Sequence, residues 1–486
     1  MPPWLPEHGF GEFLGERRLS DEQIDLVRQW VDQGAVEGAA ADRPQMPKWP
    51  SGWQLGQPDL VVTLPAAYTL PAGGSDVFRN FVLPVPLSST QYVRGMEFRA
   101  DNPKVLHHAS VAIDPTRFSR KLDRGDKDPG FAAMPDDEVQ NVFGWSPGKV
   151  PFLEPADRAW QLEKGSDLVV QLHMLPATTP ETVRPVIGLF FGDRAPTRTP
   201  LVIKLESKSI DIPAGQTDYA IDDTYVLPTD VEVLSIYPHA HYLAKEMKGV
   251  ATLPDGTLKW LLWIKAWDFR WQDQYRYTKP VFLPQGTTLK MHFTYDNSEQ
   301  NNNNPHRPPQ HVKWGPQSSD EMGALWLEVL PRSSEGAAML TRDFVQRSLR
   351  ADIAGAEMQV ATSPGDALAH NYLAIRYLRA RRVQEAIAQL NEAIRLKPDD
   401  AEAHSNLASA LQASGRLAEA VGQARAAVRL KPDDDRVHFN LGNSLNAVGN
   451  SEEAILEYRR AIQLNPENAD AHFNLAMLVG PRNRID

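Results

Sequence analysis

The chain has 486 residues, a formal net charge of −11, 42% hydrophobic and 23% charged residues, and no cysteine. Such a length suits about three domains, the composition is that of an ordinary globular protein, and the acidic balance argues against nucleic acid as a partner. Without thiols there can be no disulfide, cysteine-held zinc, iron–sulfur cluster or C-x-x-C-H haem attachment, so any metal must be held by His, Met, Asp or Glu.

The first residues, MPPWLPEHGFGEFLGERR, show no signal-peptide pattern, and His8 lies in a start that looks unstructured. Ser20 with Gln23 reads as a capping box, and Ile24, Val27, Trp30 and Val31 form an apolar stripe ending near Gly34. The stretch LSDEQIDLVRQWVDQGA is similar to the last helix of a cytochrome c domain. No haem motif precedes it, so residues 1–40 read as a remnant of such a domain that binds no haem. Residues 41–55, which contain ADRPQMPKWPSGW, read as a linker.

From 56 to 335 the pattern is β. Short runs such as LVVTL, YVRGMEF, DLVVQLHML, VEVLSIY and TLKMHFTYD are broken by Pro, Gly and Asn clusters. The region is long enough for two antiparallel β-sandwiches of jelly-roll type, at 56–195 and 196–335. Within V-L-H-H-A-S-V, His107 and His108 are adjacent, and a regular strand would point them to opposite faces. His173 shares a face with Val169 and Gln171, opposite Leu168, Val170, Leu172 and Met174. His239 and His241 are two apart, the spacing by which a strand presents two imidazoles to one metal. His292 reads as a surface residue or a support to a site, and His306 and His311 as solvated loop residues. No apolar run approaches the roughly 20 residues of a membrane span.

Residues 336–364 read as a helical linker. Beyond it Pro364, Pro398, Pro432 and Pro466 recur every 34 residues, in register with ALAHNYLA, AEAHSNLA, DRVHFNLG and ADAHFNLA. This pattern resembles the tetratricopeptide repeat, with three and a half units over 365–486. His370, His404, His438 and His472 are one repeat position and therefore structural. Asn406, Asn440 and Asn474 also share a position; they either line a groove for a protein partner or pack helices together.

The order His-His, Q-L-H, H-A-H and then D-E-M resembles the copper type II, ascorbate-dependent monooxygenases, the family of the peptidylglycine α-hydroxylating and dopamine β-monooxygenases. The resemblance covers roughly 56–335, and GWSPGKVPFLEP (144–155) is similar to the loop ahead of the third histidine in relatives. It implies two coppers per chain, one on His107, His108 and His173 and the other on His239, His241 and Met322. The first set would transfer electrons, and the second would be the catalytic set where O2 reacts to hydroxylate a C–H bond of a small-molecule or peptide substrate. Ascorbate or another one-electron reductant, such as a cytochrome-type donor, would restore both. If both adjacent histidines reach one ion, their strand must twist or bulge.

Two departures qualify this resemblance. Animal relatives are rich in disulfides. The peptidylglycine enzyme also holds a substrate carboxylate with an Arg two residues before H-x-H and with Asn and Tyr two and four after the methionine. Here those positions are Tyr237, Ala324 and Trp326. The clamp is absent, which argues against peptidylglycine, and Tyr237 and Trp326 either line an apolar pocket or pack a core. The alternatives to an oxygenase are a copper- or zinc-binding carrier or scaffold without turnover, and an interaction protein built on its repeats. The family implies a periplasmic setting, although no export signal is visible.

Overall fold

The computed structural model describes residues 4–43, 45, 52–132, 140–315 and 317–480; residues 44 and 46–51 of the expected linker and 481–486 of the repeat region lie outside these. The chain is multidomain and divides into two compact units, Met1–Thr341 and Arg342–Asp486. The first is built of antiparallel sheets and the second of helices.

Helix α1 (Asp21–Asp32) begins where the capping box places it. The Ser20 hydroxyl accepts from the Gln23 N–H, and the Gln23 side chain accepts from the Ser20 N–H. None of its residues is buried, and Leu26, Val27, Trp30 and Val31 are exposed. The stretch before it is ordered, contrary to its unstructured look. Pro6 bridges Ile264, Phe13 bridges Tyr277, and the Glu7 N–H donates to the Trp263 carbonyl at 2.7 Å. Phe13 is buried and Trp4 packs edge-on to Tyr275, so aromatic burial anchors this segment.

The first sandwich contains β1 (Leu60–Thr63), β2 (Tyr68–Leu70), β3 (Val77–Pro84), β4 (Gln91–Arg99), β5 (Leu106–Asp114), β6 (Gln140–Trp145), β7 (Trp160–Leu162), β8 (Asp167–Met174), β9 (Glu181–Val183) and β10 (Val186–Gly192). Its two four-stranded sheets run β1-β10-β4-β7 and β3-β8-β5-β6, with β2 and β9 paired beside them. Val93, Met96, Val111, Leu168, Leu172 and Leu189 form part of the core they enclose. The opposite side of β8 carries Val169, which packs with Val82, Phe131 and Leu122 of the short helix α2 (Ser119–Gly125).

The second sandwich contains β11 (Leu201–Glu206), β12 (Asp211–Ile212), β13 (Tyr219–Val226), β14 (Val231–Ala240), β15 (Ala244–Thr252), β16 (Leu258–Ile264), β17 (Tyr275–Leu283), β18 (Thr288–Tyr295), β19 (Val312–Lys313) and β20 (Gly323–Pro331). The sheets run β11-β20-β14-β17 and β13-β18-β15-β16, and β12 pairs with β19. In β18, Leu289, Met291, Phe293 and Tyr295 are buried while Lys290, His292 and Thr294 alternate outward, the period of two that marks a half-buried strand. In β14, Ile236 is core, whereas Ser235, Tyr237 and His239 occupy the other face. That outer face bears the site.

Helix α3 (Ser334–Thr362) begins in the last residues of the first unit, and the second unit continues with α4 (Ala367–Arg379), α5 (Val383–Leu396), α6 (Ala401–Ala413), α7 (Leu417–Leu430), α8 (Asp435–Ala447), α9 (Ser451–Leu464) and α10 (Ala469–Val479). Asp366, Asp400 and Asp434 cap α4, α6 and α8 by accepting N–H groups of the first turn. The helix expected as a linker takes part in packing: Ile353 and Ala356 of α3 join the core formed with Leu373, Leu390 and Leu407. No described helix is long and apolar enough to cross a membrane.

Candidate metal centre

The ladder between β5 and β8 slips between Leu106 and His108, so His108 pairs with His173 while His107 is the extra residue of a bulge. The irregularity releases the adjacent histidines from opposite faces. Ligand nitrogens of His107, His108 and His173 all lie within 4.8 Å of one another. Phe78, paired with His173 across β3 and β8, stacks on its ring at 4.0 Å and fixes its plane.

The hydrogen-bond partners assign the nitrogens. His173 Nε2 donates to Asp76 Oδ2 at 2.9 Å, leaving Nδ1, which lies 3.2 Å from His108 Nδ1. Two imidazole nitrogens that close need a proton or a cation between them, and bonds of about 2.0–2.1 Å to one ion place its ligand nitrogens about 3 Å apart. His107 Nε2 is buried without a hydrogen-bond partner among the described residues, a vacancy in bonding that coordination satisfies. Burial and neighbouring imidazoles push the His107 pKa down to about 3 and that of His108 well below 6.5. Both rings are therefore neutral, as a metal ligand requires. These three residues fit a copper or zinc ion.

His239 and His241 come from the end of β14 and the turn after it. His239 Nδ1 donates to Gln272 Oε1 at 2.5 Å and His241 Nδ1 to the Asp320 carbonyl at 3.1 Å, so each keeps Nε2 available. Burial lowers these pKa values to about 3 and about 4; the His241 ring adds to the effect on His239, and the His173 and His107 rings add to that on His241. The β14–β20 ladder ends at the Ala240–Gly323 pair, one residue short of His241 on one strand and of Met322 on the other. The buried Glu321 clamps these loops: its carboxylate accepts the N–H groups of His241 at 2.5 Å, Leu243 at 2.9 Å and Met322 at 2.8 Å. Burial nevertheless pushes its pKa up to about 8.

Tyr237 and Trp326 pair across β14 and β20 and stack at 5.2 Å, with Trp326 5.8 Å from His239 between ring centroids. They lie on the outer, histidine-bearing face and not in the sandwich core. Lys204 sits over Trp326 at 5.3 Å. Ala324, opposite His239, is buried. The other histidines stand apart in distinct contacts: His292 meets Asp222 at 3.1 Å, His311 meets Asp211 at 2.6 Å, His306 meets the Ser319 carbonyl at 3.3 Å, and His8 meets Glu16 at 3.1 Å.

Asp76, Phe269, Gln272 and Glu321 support the centre but carried no sequence signal beyond their residue types. Asp76 lies in a polar turn before β3. Burial alone would raise its pKa, but hydrogen bonds from His173 and Ser318 and the nearby imidazoles outweigh it and hold the carboxyl below its usual range.

In the helical unit the four repeated histidines close their own repeats. Nε2 of His370, His404, His438 and His472 contacts the carbonyls of Pro364, Pro398, Pro432 and Pro466 at 2.8–3.1 Å. Asn406 donates to Asn371, Asn440 to Ser405 and Asn474 to Asn443, at 2.8–3.0 Å. Their amides tie each repeat to the one before it.

Family models described as "Tetratricopeptide repeat" and "TPR repeat" match residues 363–435 and 442–479. The second unit is thus a run of tetratricopeptide repeats, a module for protein–protein interaction. A search of the curated proteins finds no match. Among solved structures, the crystal structure of MamA is similar at 18% identity, covering 29% of this chain and 83% of that one with a TM-score of 0.27. The first TPR of Spaghetti (RPAP3), bound to the HSP90 peptide SRMEEVD, is similar at 24% identity, covering 24% of this chain and 93% of that one with a TM-score of 0.24.

Proposed function

We propose that this chain is a copper-dependent monooxygenase that hydroxylates a C–H bond of a small-molecule or peptide substrate. The observation that carries the reading is the convergence of five imidazoles from two sandwiches, His107, His108 and His173 with His239 and His241, beside the loop that carries Met322. Bound copper would supply one-electron redox chemistry and O2 activation, with ascorbate or a cytochrome-type donor as the reductant.

The protein's own residues do the rest. His107, His108 and His173 offer an all-imidazole set suited to both copper oxidation states, while a thioether at Met322 favours Cu(I) in the second set. Asp76 and the Asp320 carbonyl hold His173 and His241 in the tautomers that present a lone pair. Tyr237 and Trp326 form an aromatic wall beside His239, suited to an apolar substrate. The tetratricopeptide unit would recruit a protein partner, and the resemblance favours a periplasmic setting.

Metal analysis after reconstitution with Cu(I) tests the reading, with wild type beside Met322→Ile and His107→Ala. Two coppers in the wild type and one lost in each variant support it. O2- and ascorbate-dependent product formation then separates an oxygenase from a copper- or zinc-binding scaffold. No bound copper sinks the proposal.

A further inference from the structure

Met96 and Phe98 of β4 both enter the core of the first sandwich, so Glu97 between them belongs to the opposite face. A carboxylate there should meet water, yet Glu97 is only 4% exposed. The end of the linker covers it. Trp53 packs against Gly188, the cross-strand partner of Glu97, where a Cβ would lie 2.9 Å from the Trp53 ring. Gln54 and Leu55 donate their N–H groups to Glu97 Oε2 at 2.7 and 3.1 Å. Among the described residues nothing else bonds to this carboxylate: Oε1 accepts no hydrogen bond, and no Lys, Arg or His forms an ion pair with it. A glutamate buried without a cationic partner is rare, because the ionised group gives up its hydration.

Space for such a partner lies beside it. A surface cavity of about 230 Å³ is lined by Glu97 and Gln54, by the rings of Phe98, Phe143 and Trp145, and by Lys149. Trp145 packs on Phe98 at 4.8 Å between centroids, and Phe143 already holds the Lys149 ammonium over its face at 4.8 Å. That ammonium donates to the Gly144 carbonyl and to Gln274 Oε1, so its charge is engaged elsewhere. Neither Met322 nor any of the five imidazoles lines this cavity.

We propose that this cavity of the first sandwich binds a small organic cation, a protonated amine on an aromatic or apolar body, with Glu97 Oε1 as its acceptor and Phe98, Phe143 and Trp145 as its walls. A carboxylate gives an ammonium a charge-assisted hydrogen bond, and aromatic faces attract cations. An apolar cavity of about 150 Å³ admits benzene, so this one has room for a benzene ring that carries an aminomethyl group. The site uses none of the proposed copper ligands and therefore stands or falls independently of the copper reading.

Full-length, metal-free protein is titrated at neutral pH with benzylammonium, benzyl alcohol and benzoate, which share a body and differ in charge, and binding is followed by ligand-observed NMR. Benzylammonium should bind about tenfold more tightly than benzyl alcohol, the gain expected of one hydrogen bond to a charged group, and benzoate more weakly than either. In Glu97→Gln, which keeps an acceptor for the Gln54 and Leu55 N–H groups, that preference should vanish while benzyl alcohol still binds. Should this variant fail to fold, Phe143→Leu takes its place and should reduce the same preference. Equal binding of amine and alcohol to the wild type, binding of neither, or a preference unchanged in the variant overturns the site.

Discussion

Asp76 shows how one side chain serves the centre without touching a metal. Its carboxylate accepts the Nε2 proton of His173 and so leaves Nδ1 to face His108. Asp76→Asn weakens that acceptor and lets the ring change tautomer. Loss of such a supporting carboxylate typically lowers metal affinity about 10–100-fold. The variant should show that loss in a copper competition titration while its thermal midpoint without metal stays close to wild type; unchanged affinity would remove Asp76 from the site. The imidazoles add a dependence on pH. Burial holds His107, His239 and His241 neutral in the folded state, with pKa values of about 3, about 3 and about 4 against 6.5 unperturbed. Between pH 6.5 and about 4 the unfolded chain binds more protons than the folded one, so stability falls as pH falls through that window and is fully present above it. Urea midpoints of the metal-free β-unit should decline across this range, and a flat profile would contradict neutral burial of the rings. Single-residue chemistry was only partly legible in the sequence. H-x-H spacing suggested a shared face, although His241 falls just past the end of β14, whereas Asp76 and Gln272 are ordinary polar residues until the fold brings them to a histidine from 97 and 33 positions away.

At the scale of the element, local rules carried far. The capping box at Ser20 sets the start of α1, but its apolar stripe did not reveal that the helix would remain exposed, because burial depends on a partner surface. The adjacent histidines posed the opposite problem. Alternation alone sends His107 and His108 apart, and the bulge that reunites them is a property of the paired strands β5 and β8, not of β5 alone. In the repeats the same position is occupied by Ala374, Ala408 and Gly442, small residues where helices meet. A Cβ on Gly442 would lie 2.7 Å from the Tyr458 ring, which is itself buried and bonded to Asn443. Gly442→Val should therefore overpack the α8–α9 contact and cost about 1–3 kcal/mol. Helical ellipticity in a denaturant titration reads this directly, and an unchanged midpoint would mean that Tyr458 moves aside freely.

The whole molecule joins two architectures of different legibility. The helical unit announced itself through a 34-residue period, since each repeat must bury its apolar face on an identical neighbour and therefore repeats its own pattern. The β-unit has no such period. Its sheets are assembled from strands distant in sequence, as in the order β3-β8-β5-β6, so the class could be read from short alternating runs while the pairing could not. The division into Met1–Thr341 and Arg342–Asp486 has a thermodynamic consequence. A ligand that binds only the folded form of one unit stabilises that unit by RT ln(1 + [L]/Kd), about 2.7 kcal/mol at a hundredfold excess over Kd. All the imidazoles proposed to hold copper belong to the first unit, and those of the repeats contact proline carbonyls within their own repeats. Differential scanning calorimetry should thus resolve two transitions, of which copper raises only one, while the transition tracked by helical ellipticity keeps its midpoint. A single transition that moves as a whole would mean that the units unfold together, and a shift confined to the helical transition would place copper on the repeats instead of on the imidazoles of the first unit.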